Sequence, residues 1–284
     1  MVAGVEKGGE PVRLISYQFQ PETLIDSEHG PYVEVDEIAD LHYGSRFFLL
    51  KKAMQHREYI LANPERKVID VGDHYENSLR SSPGAAIFEQ TCSPREQRAW
   101  VKEYCRPMRD RFLAVTAGNH EDRSARDSDI EADEMLVDFL GCPWIRWEAI
   151  LSITVGDSRH GQNYTIYVRH AVSNSTKTNV IMGAMFQRAK TVQGCDVYLF
   201  AHNHTFIYES LPCFMPDPRH GKVREKLQHF CMGDSFLNYE GSYAEQHGYA
   251  LPNPGQVALR LYQNKHLVEV EVAVLMRGGD YDNK

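Results

Sequence analysis

The stretch that most constrains this chain is Asp196–His204, DVYLFAHNH. A short apolar run, Val197–Phe200, stands between Cys195-Asp196 and Ala201 and leads into two histidines spaced i, i+2. Such a run suits a strand buried in a layered α/β domain. Two imidazoles two residues apart, at a strand end or in the loop just past it, reach one small volume from neighbouring backbone positions. A lone His-x-His is a weak metal signal, so the question is what else in the chain completes it.

Four other stretches share the grammar of an apolar strand ending in polar ligand types. Ile38-Ala39 runs into Asp40-Leu41-His42, and Lys67–Val71 runs into Gly72-Asp73. Phe112–Ala117 runs into Gly118-Asn119-His120-Glu121, and Tyr164–Val168 runs into Arg169-His170. In α/β proteins sites form where strand ends meet loops, so five strand ends can converge on one place. The collected ligands are Asp40, Asp73, Asn119, His42, His170, His202 and His204. Carboxylate, amide oxygen and imidazole without thiolate suit first-row divalent metals such as Mn, Fe or Zn.

With these five blocks in order, the chain resembles the calcineurin-like metallophosphoesterases, whose pattern is D-x-H, GD, GNH[DE], H and GHxH. The resemblance covers roughly residues 33–210. The run from Gly72 through Pro94 to Arg123 also looks like members encoded by phages and prophages. Two departures stand out. Ala201 takes the place of the usual Gly, and Glu76 takes the place of the usual Asp or Asn three residues after Asp73.

The resemblance implies a four-layer α-β-β-α sandwich, two packed mixed sheets with flanking helices. It also implies two divalent ions, Mn2+ first, with Fe, Zn or Ni as alternatives. Asp73 would bridge them, with Asp40, His42 and His204 on one ion and Asn119, His170 and His202 on the other. Such a pair holds a bridging water, lowers its pKa and clamps phosphoryl oxygens for in-line displacement. His120 is not a ligand in the family. At the rim it is expected to protonate the leaving alkoxide, with Glu121 orienting it.

Charge and composition narrow the partners. The chain of 284 residues carries a formal net charge of −8, so no global basic field attracts nucleic acid. Bound metals would supply local positive charge instead, so a nucleotide or nucleic-acid substrate stays open. The six cysteines form no C-x-x-C, which reads as reduced, mostly structural thiols in a cytoplasm-like compartment, the host's if the chain is phage-encoded. Residues 1–11 are polar and Gly-rich without an apolar h-region, and no stretch approaches the ~20 apolar residues of a membrane span. Neither composition nor motif speaks to oligomeric state.

The element order supports the layered fold. Val12–Phe19 reads as an edge strand and Tyr32–Ala39 as a strand leading into Asp40. Ser45–Ala62 reads as a helix with Phe47, Leu50, Met54 and Leu61 on one face, stopped by Asn63-Pro64. With Lys67–Val71 this makes a βαβ unit. Residues 74–92, containing Ser81-Ser82-Pro83-Gly84, form a long polar loop expected to wall the substrate side. Ser93-Pro94-Arg95-Glu96 is a capping box opening a helix that ends near Arg106-Pro107, followed by strand Arg111–Ala117. Asp127–Leu140 reads as one amphipathic helix with Ile130, Val137 and Leu140 inward and its acids, Asp133 among them, on a solvated face. Ala149–Val155 and Tyr164–Val168 flank a turn at Gly156–Gly161, and Thr178–Val192 looks helical. Phe206–Leu211, Glu225–Met232, Gln256–Tyr262 and Leu267–Leu275 read as late strands, with Pro212–Gly221 a Pro-rich excursion. No linker-like break interrupts the chain, which predicts one domain with its core over about 12–275 and flexible ends at 1–11 and 277–284.

A metal-dependent phosphoesterase is the leading expectation. Serine/threonine phosphoprotein phosphatases of the same superfamily carry an Arg in GDxVDRG, whereas here the stretch is Gly72-Asp73-His74-Tyr75-Glu76-Asn77-Ser78. That favours phosphodiesters, of nucleotide or nucleic-acid type, over phosphomonoesters and phosphoproteins. A nuclease on single strands or ends needs a basic or aromatic track, for which Arg106, Arg109 and Arg111 are the local candidates. A scaffold with a decayed site is disfavoured by the full ligand set. Arg80 and Arg123 are forked donors that could clamp a phosphate, against the plainer reading of solvated surface charge. His74 is notable only for adjoining Asp73.

Overall fold

The computed structural model describes residues 12–82, 86–157, 160–218 and 220–273. In chain order, β1 (Arg13–Phe19), β2 (Ile25–Asp26) and β3 (Gly30–Ile38) precede α1 (Leu50–Leu61) and β4 (Lys67–Asp70). Then come α2 (Ala86–Glu89), α3 (Pro94–Cys105), a 3-10 turn (Arg106–Arg111), β5 (Phe112–Thr116), α4 (Glu121–Ser128) and α5 (Glu134–Leu140). β6 (Trp144–Ile145), β7 (Glu148–Val155), β8 (Gln162–Arg169), α6 (Thr178–Thr191) and β9 (Val197–Phe200) follow. The last described elements are β10 (Ile207–Asp217), β11 (Lys222–Met232), α7 (Tyr243–Gln246), β12 (Val257–Tyr262) and β13 (Val268–Val272).

These strands make two mixed sheets. One runs β13-β12-β3-β4-β5-β6, with β2 beside β3; β3 to β6 are parallel, while β12 is antiparallel to β3 and to β13. The other runs β1-β7-β8-β9-β11-β10, where β8, β9 and β11 are mutually parallel. Side-chain alternation then builds the layers. Val33, Val35, Ile69 and Leu113 meet Leu151, Ile166, Val197 and Leu199 between the sheets. On the outer face of the first sheet, Ile38, Val68 and Val115 pack on Ala53 and Ile60 of α1, Val101 and Tyr104 of α3, and Leu136 and Leu140 of α5. On the outer face of the second, Tyr167, Tyr198, Phe200 and Phe230 pack on Ile181 and Met185 of α6. The result is the four-layer α-β-β-α sandwich. Val197–Phe200 is apolar throughout because both of its faces are covered.

Several local expectations are corrected. The first helix starts at Leu50, and its inward stripe is Ala53, His56 and Ile60 with Lys52, while Leu50 is half exposed. The cause is tertiary: the Leu49 amide bonds the Phe236 carbonyl (2.8 Å), and buried Lys52 donates to Asp234 (2.7 Å) and to the Ser235 carbonyl (2.6 Å). Asp127–Leu140 is not one helix. α4 ends on Asp129 in the left-handed conformation (φ 56°), α5 starts at Glu134, and Ile130 is exposed. Asp133 is buried, not solvated. Pro212–Gly221 is largely strand, because Pro212 and Pro216 fall on β10, the outermost strand of its sheet, where a missing N–H costs little. The capping box at Ser93 and Glu96 forms as read. The readings over 1–11, Pro83-Gly84, Ser158-Arg159 and from residue 274 onward lie outside the described residues.

Candidate metal centre

Asp40 and His42 follow β3, Asp73 follows β4, Asn119 follows β5, His170 follows β8, and His202 and His204 follow β9. The parallel pairings of β3–β4–β5 and of β8–β9 make all five carboxyl-terminal strand ends. Backbone bonds stitch the loops together: the Asp40 amide to the Gly72 carbonyl (2.9 Å), His42 to Asp73 (3.0 Å), and Ala201 to His170 (2.8 Å). This is the crevice in which layered α/β folds place their ligands.

Left-handed backbone is concentrated here among the described residues. Among the described residues, the non-glycine positions with positive φ are Asp40 (50°), His42 (48°), Asp73 (56°), Asn77 (42°), Asp129 (56°), His202 (80°) and His204 (53°). Five of these are the predicted ligands. Left-handed backbone disfavours residues with a Cβ and persists where the surroundings over-determine it, which is commonest at functional sites.

Side-chain geometry fits a cation. Nε2 of His42 and Nε2 of His204 lie 3.0 Å apart, and they lie 3.7 and 3.5 Å from Asp40 Oδ1. A triangle with these sides has a circumradius of about 2.0 Å, which matches a bond from a first-row divalent ion to imidazole nitrogen or carboxylate oxygen. Asp40 Oδ1 is buried without a hydrogen-bond partner, while Oδ2 accepts from the His202 amide (2.9 Å).

A second group forms beside the first. Nε2 of His170 lies 3.3 Å from Asp73 Oδ2 and 3.1 Å from Asn119 Oδ1, and a ligand atom of His202 stands within 4.8 Å of those of Asp73 and His170. Nδ1 of His170 bonds the Val71 carbonyl (2.6 Å), which fixes the ring and turns Nε2 to the site. Asp73 Oδ1 accepts from the His120 amide (2.9 Å), and Oδ2 is an orphan 3.8 Å from His42 Nε2 on the other side. One carboxylate oxygen thus faces both groups. The orphaned atoms, the mixed N/O donor set and the spacing all fit a pair of divalent ions.

Two of the imidazoles are drawn toward the charged form, whereas burial and His170 hold His202 below its ordinary pKa. Burial opposes charge on His170, but Asp73 and Asp40 outweigh it and push the imidazole up to about 10. Burial also opposes the raised pKa of His42, which Asp40, Asp73 and Glu76 enforce. In return Asp73, despite burial, is held well below the usual carboxylate range by His170, His120 and His42.

Glu121 does not orient His120. Its carboxylate accepts the amides of Asp73 (2.9 Å), His74 (2.9 Å), Tyr75 (3.3 Å) and Gly118 (2.9 Å), tying the loop after β4 to the loop after β5. A Cβ at Gly118 would collide with Asp73 Oδ1 and Glu121 Oε2, so only glycine lets the loops approach. Behind Glu121, buried His74 faces Asp70 Oδ1 (2.7 Å), Glu121 Oε1 (3.2 Å) and Asp133 Oδ1 (3.4 Å). Burial opposes its charge, but the three carboxylates raise its pKa well above the ordinary value. Position next to Asp73 was the only sequence signal for this imidazolium.

His120 is set by Glu76 instead. Its Nδ1 bonds the Glu76 carbonyl (2.7 Å), and its Nε2 faces Arg123 Nη2 (2.8 Å). Burial, His42 and Arg123 hold the imidazole well below its ordinary pKa despite Asp73. Charge on the expected proton donor is therefore disfavoured in this arrangement. Arg80 is exposed, and Arg123 is drawn into the site. His29, His56, His160, His220, His229, His247 and His266 belong to none of the ligand groups.

No protein-family model and no curated protein matches the chain. Solved structures of similar fold do. The phosphoesterase YfcE of E. coli has 13% identity and a TM-score of 0.39, over 81% of this chain and 88% of that one. Zn-complexed Vps29 of Entamoeba histolytica has 11% identity and a TM-score of 0.39, over 85% of this chain and 100% of that one. The nuclease MPE of Pseudomonas putida has 12% identity and a TM-score of 0.35, over 84% and 87%. At such scores the likeness carries no assignment, and the functional reading rests on the site. No described helix is long and apolar enough to cross a membrane.

Proposed function

We propose that the chain is a dinuclear metal-dependent phosphoesterase acting on phosphodiesters of nucleotide or nucleic-acid type. The observation that carries this is the pairing of two ligand groups around one orphan oxygen, Asp73 Oδ2, which lies 3.3 Å from His170 and 3.8 Å from His42. Asp40, His42 and His204 would hold one ion; Asn119, His170 and His202 the other; Asp73 both. When bound, such ions make a water nucleophilic near neutral pH and neutralise phosphoryl oxygens. Manganese is the first choice, since the donors are oxygen and imidazole without thiolate.

The chain's own residues set the rest. His170 and His202 stand at one end of the site, and His42 and His204 at the other. Asn119 lends a neutral oxygen, so the loaded site keeps positive charge for an anionic ester. Where the phosphoprotein phosphatase pattern has Arg there is Asn77, whose amide is spent on the His120 carbonyl (2.7 Å) and Ser124 (2.9 Å). With no arginine from that loop, the diester reading stands ahead of monoesters. With Mn2+ added, kcat/KM should be higher for bis-(p-nitrophenyl) phosphate than for p-nitrophenyl phosphate. A strong monoester preference would reverse the substrate class, and turnover of neither would remove the activity.

A further inference from the structure

Arg123 lies four residues after Asn119, in the first turn of α4, where sequence alone leaves open a phosphate clamp or plain surface charge. Its side chain is only 20% exposed. Nη1 donates to the Glu76 carbonyl (2.8 Å), and Nη2 donates to His120 Nε2 (2.8 Å). The same Glu76 carbonyl takes Nδ1 of His120 (2.7 Å), and the Glu76 carboxylate lies 3.9 Å from Nη1 and 3.7 Å from His42 Nδ1. The guanidinium is therefore clamped by an acceptor pair that also fixes His120. It cannot be a freely solvated side chain. Its inner edge meets the one His120 nitrogen that faces the metal ligands, 4.0 Å from Asp73 Oδ2.

This arrangement decides which group has a proton to offer there. An imidazole whose Nδ1 hydrogen points at a carbonyl, and whose Nε2 accepts from a guanidinium, presents no hydrogen toward the site. Arg123 carries N–H donors beyond the two engaged by Glu76 and His120, on a planar fork that suits phosphate oxygens. Resting on the phosphoesterase reading, we propose that Arg123 is a catalytic residue that donates hydrogen bonds to the departing ester oxygen, with His120 and Glu76 as its positioning residues. In the step, water oxygen bonds to phosphorus as the bond from phosphorus to the leaving oxygen breaks. The leaving oxygen keeps the electron pair and finally takes the proton that water gives up. Arg123 keeps its own protons throughout and contributes charge where it develops.

Arg123→Met and Arg123→Lys test this. Turnover would be measured on a thymidine dinucleotide, which leaves as an alkoxide, and on bis-(p-nitrophenyl) phosphate, which leaves as a stable anion. Arg123→Met should lose roughly 10²–10³-fold on the dinucleotide, the scale of one oxyanion donor, and much less on the nitrophenyl ester. Arg123→Lys should recover part of the loss, with metal content unchanged in both variants. Calorimetric binding of inorganic phosphate to the Mn2+-loaded protein gives a readout without turnover, and Arg123→Met should weaken it about tenfold or more. Equal losses on both esters, or unchanged phosphate affinity, would overturn the role of Arg123 and leave the phosphoesterase reading standing. A wild-type protein that binds Mn2+ and phosphate yet turns over no ester sinks the phosphoesterase reading, and the phosphate affinities still decide the contact. A wild-type protein that binds no phosphate overturns the Arg123 contact, and turnover of the diesters still decides the phosphoesterase reading.

Discussion

Asp73 stands between the two groups of candidate ligands. It sits at φ 56° with one oxygen on the His120 amide (2.9 Å) and the other left for the site. The amides of residues 73 to 75 are all held by Glu121, so the carboxylate has little freedom to move away. Asp73→Asn keeps the shape and removes the charge. The amide nitrogen then points a donor at a neighbour that needs an acceptor. We expect this variant to lose both ions and turnover together, seen as a fall from about two ions per chain in metal analysis. Two retained ions with near-normal turnover would remove Asp73 from the shared position. The convergence of these side chains was legible in sequence because strand ends preceded them. The loop lock by Glu121 and the buried His74 behind it were not, because Glu121 and Asp133 reach residues 73 to 75 from elements distant in sequence.

At the scale of elements, legibility followed how far local pattern agreed with tertiary demand. β9 and α6 were readable since each has one consistent apolar pattern, four buried residues in a row and a stripe of Ile181 and Met185. α1 was misread on its face because a buried ion pair, Lys52 with Asp234, turns a polar residue inward. The break at Asp129 was invisible because an aspartate can take a left-handed cap that sequence usually reserves for glycine or asparagine. Asp196, at the start of β9, holds the second sheet to the β12–β13 connection. It accepts from the Thr165 amide and hydroxyl (2.7 Å each), from Lys226 (3.0 Å) and from His266 (2.8 Å). Burial alone would raise its pKa, but His266, Lys226 and Thr165 lower it to about 2 from 3.8. A depressed carboxylate stabilises the fold above its unfolded pKa and loses that contribution as pH falls through the folded one. The contribution of roughly 2 kcal/mol should be complete above pH about 5 and gone near pH about 2. Urea unfolding of metal-free wild type and Asp196→Asn should show a stability gap that closes over that window, and a gap independent of pH would contradict the network.

For the molecule as a whole, two sheets offer five strand ends to one crevice, and a protein so built has to balance the charge gathered there. In the metal-free state the balance comes from protons. His170 is held up at about 10, so it is protonated at neutral pH, and His42 is shifted in the same direction. A coordinating imidazole must be neutral, so cation binding has to expel the His170 proton. The sign follows directly: metal affinity should rise with pH through the neutral range, since fewer protons then compete. Titrating Mn2+ into metal-free protein at pH 7 should reach about two ions per chain and release at least one proton. The release shows in calorimetry as a binding heat that varies with the ionisation enthalpy of the buffer. The same loading should raise the melting temperature, because ions that bind only the folded chain shift unfolding by mass action. A heat indifferent to buffer would mean that His170 does not give up its proton, and saturation at one ion would leave Asp73 serving a single group.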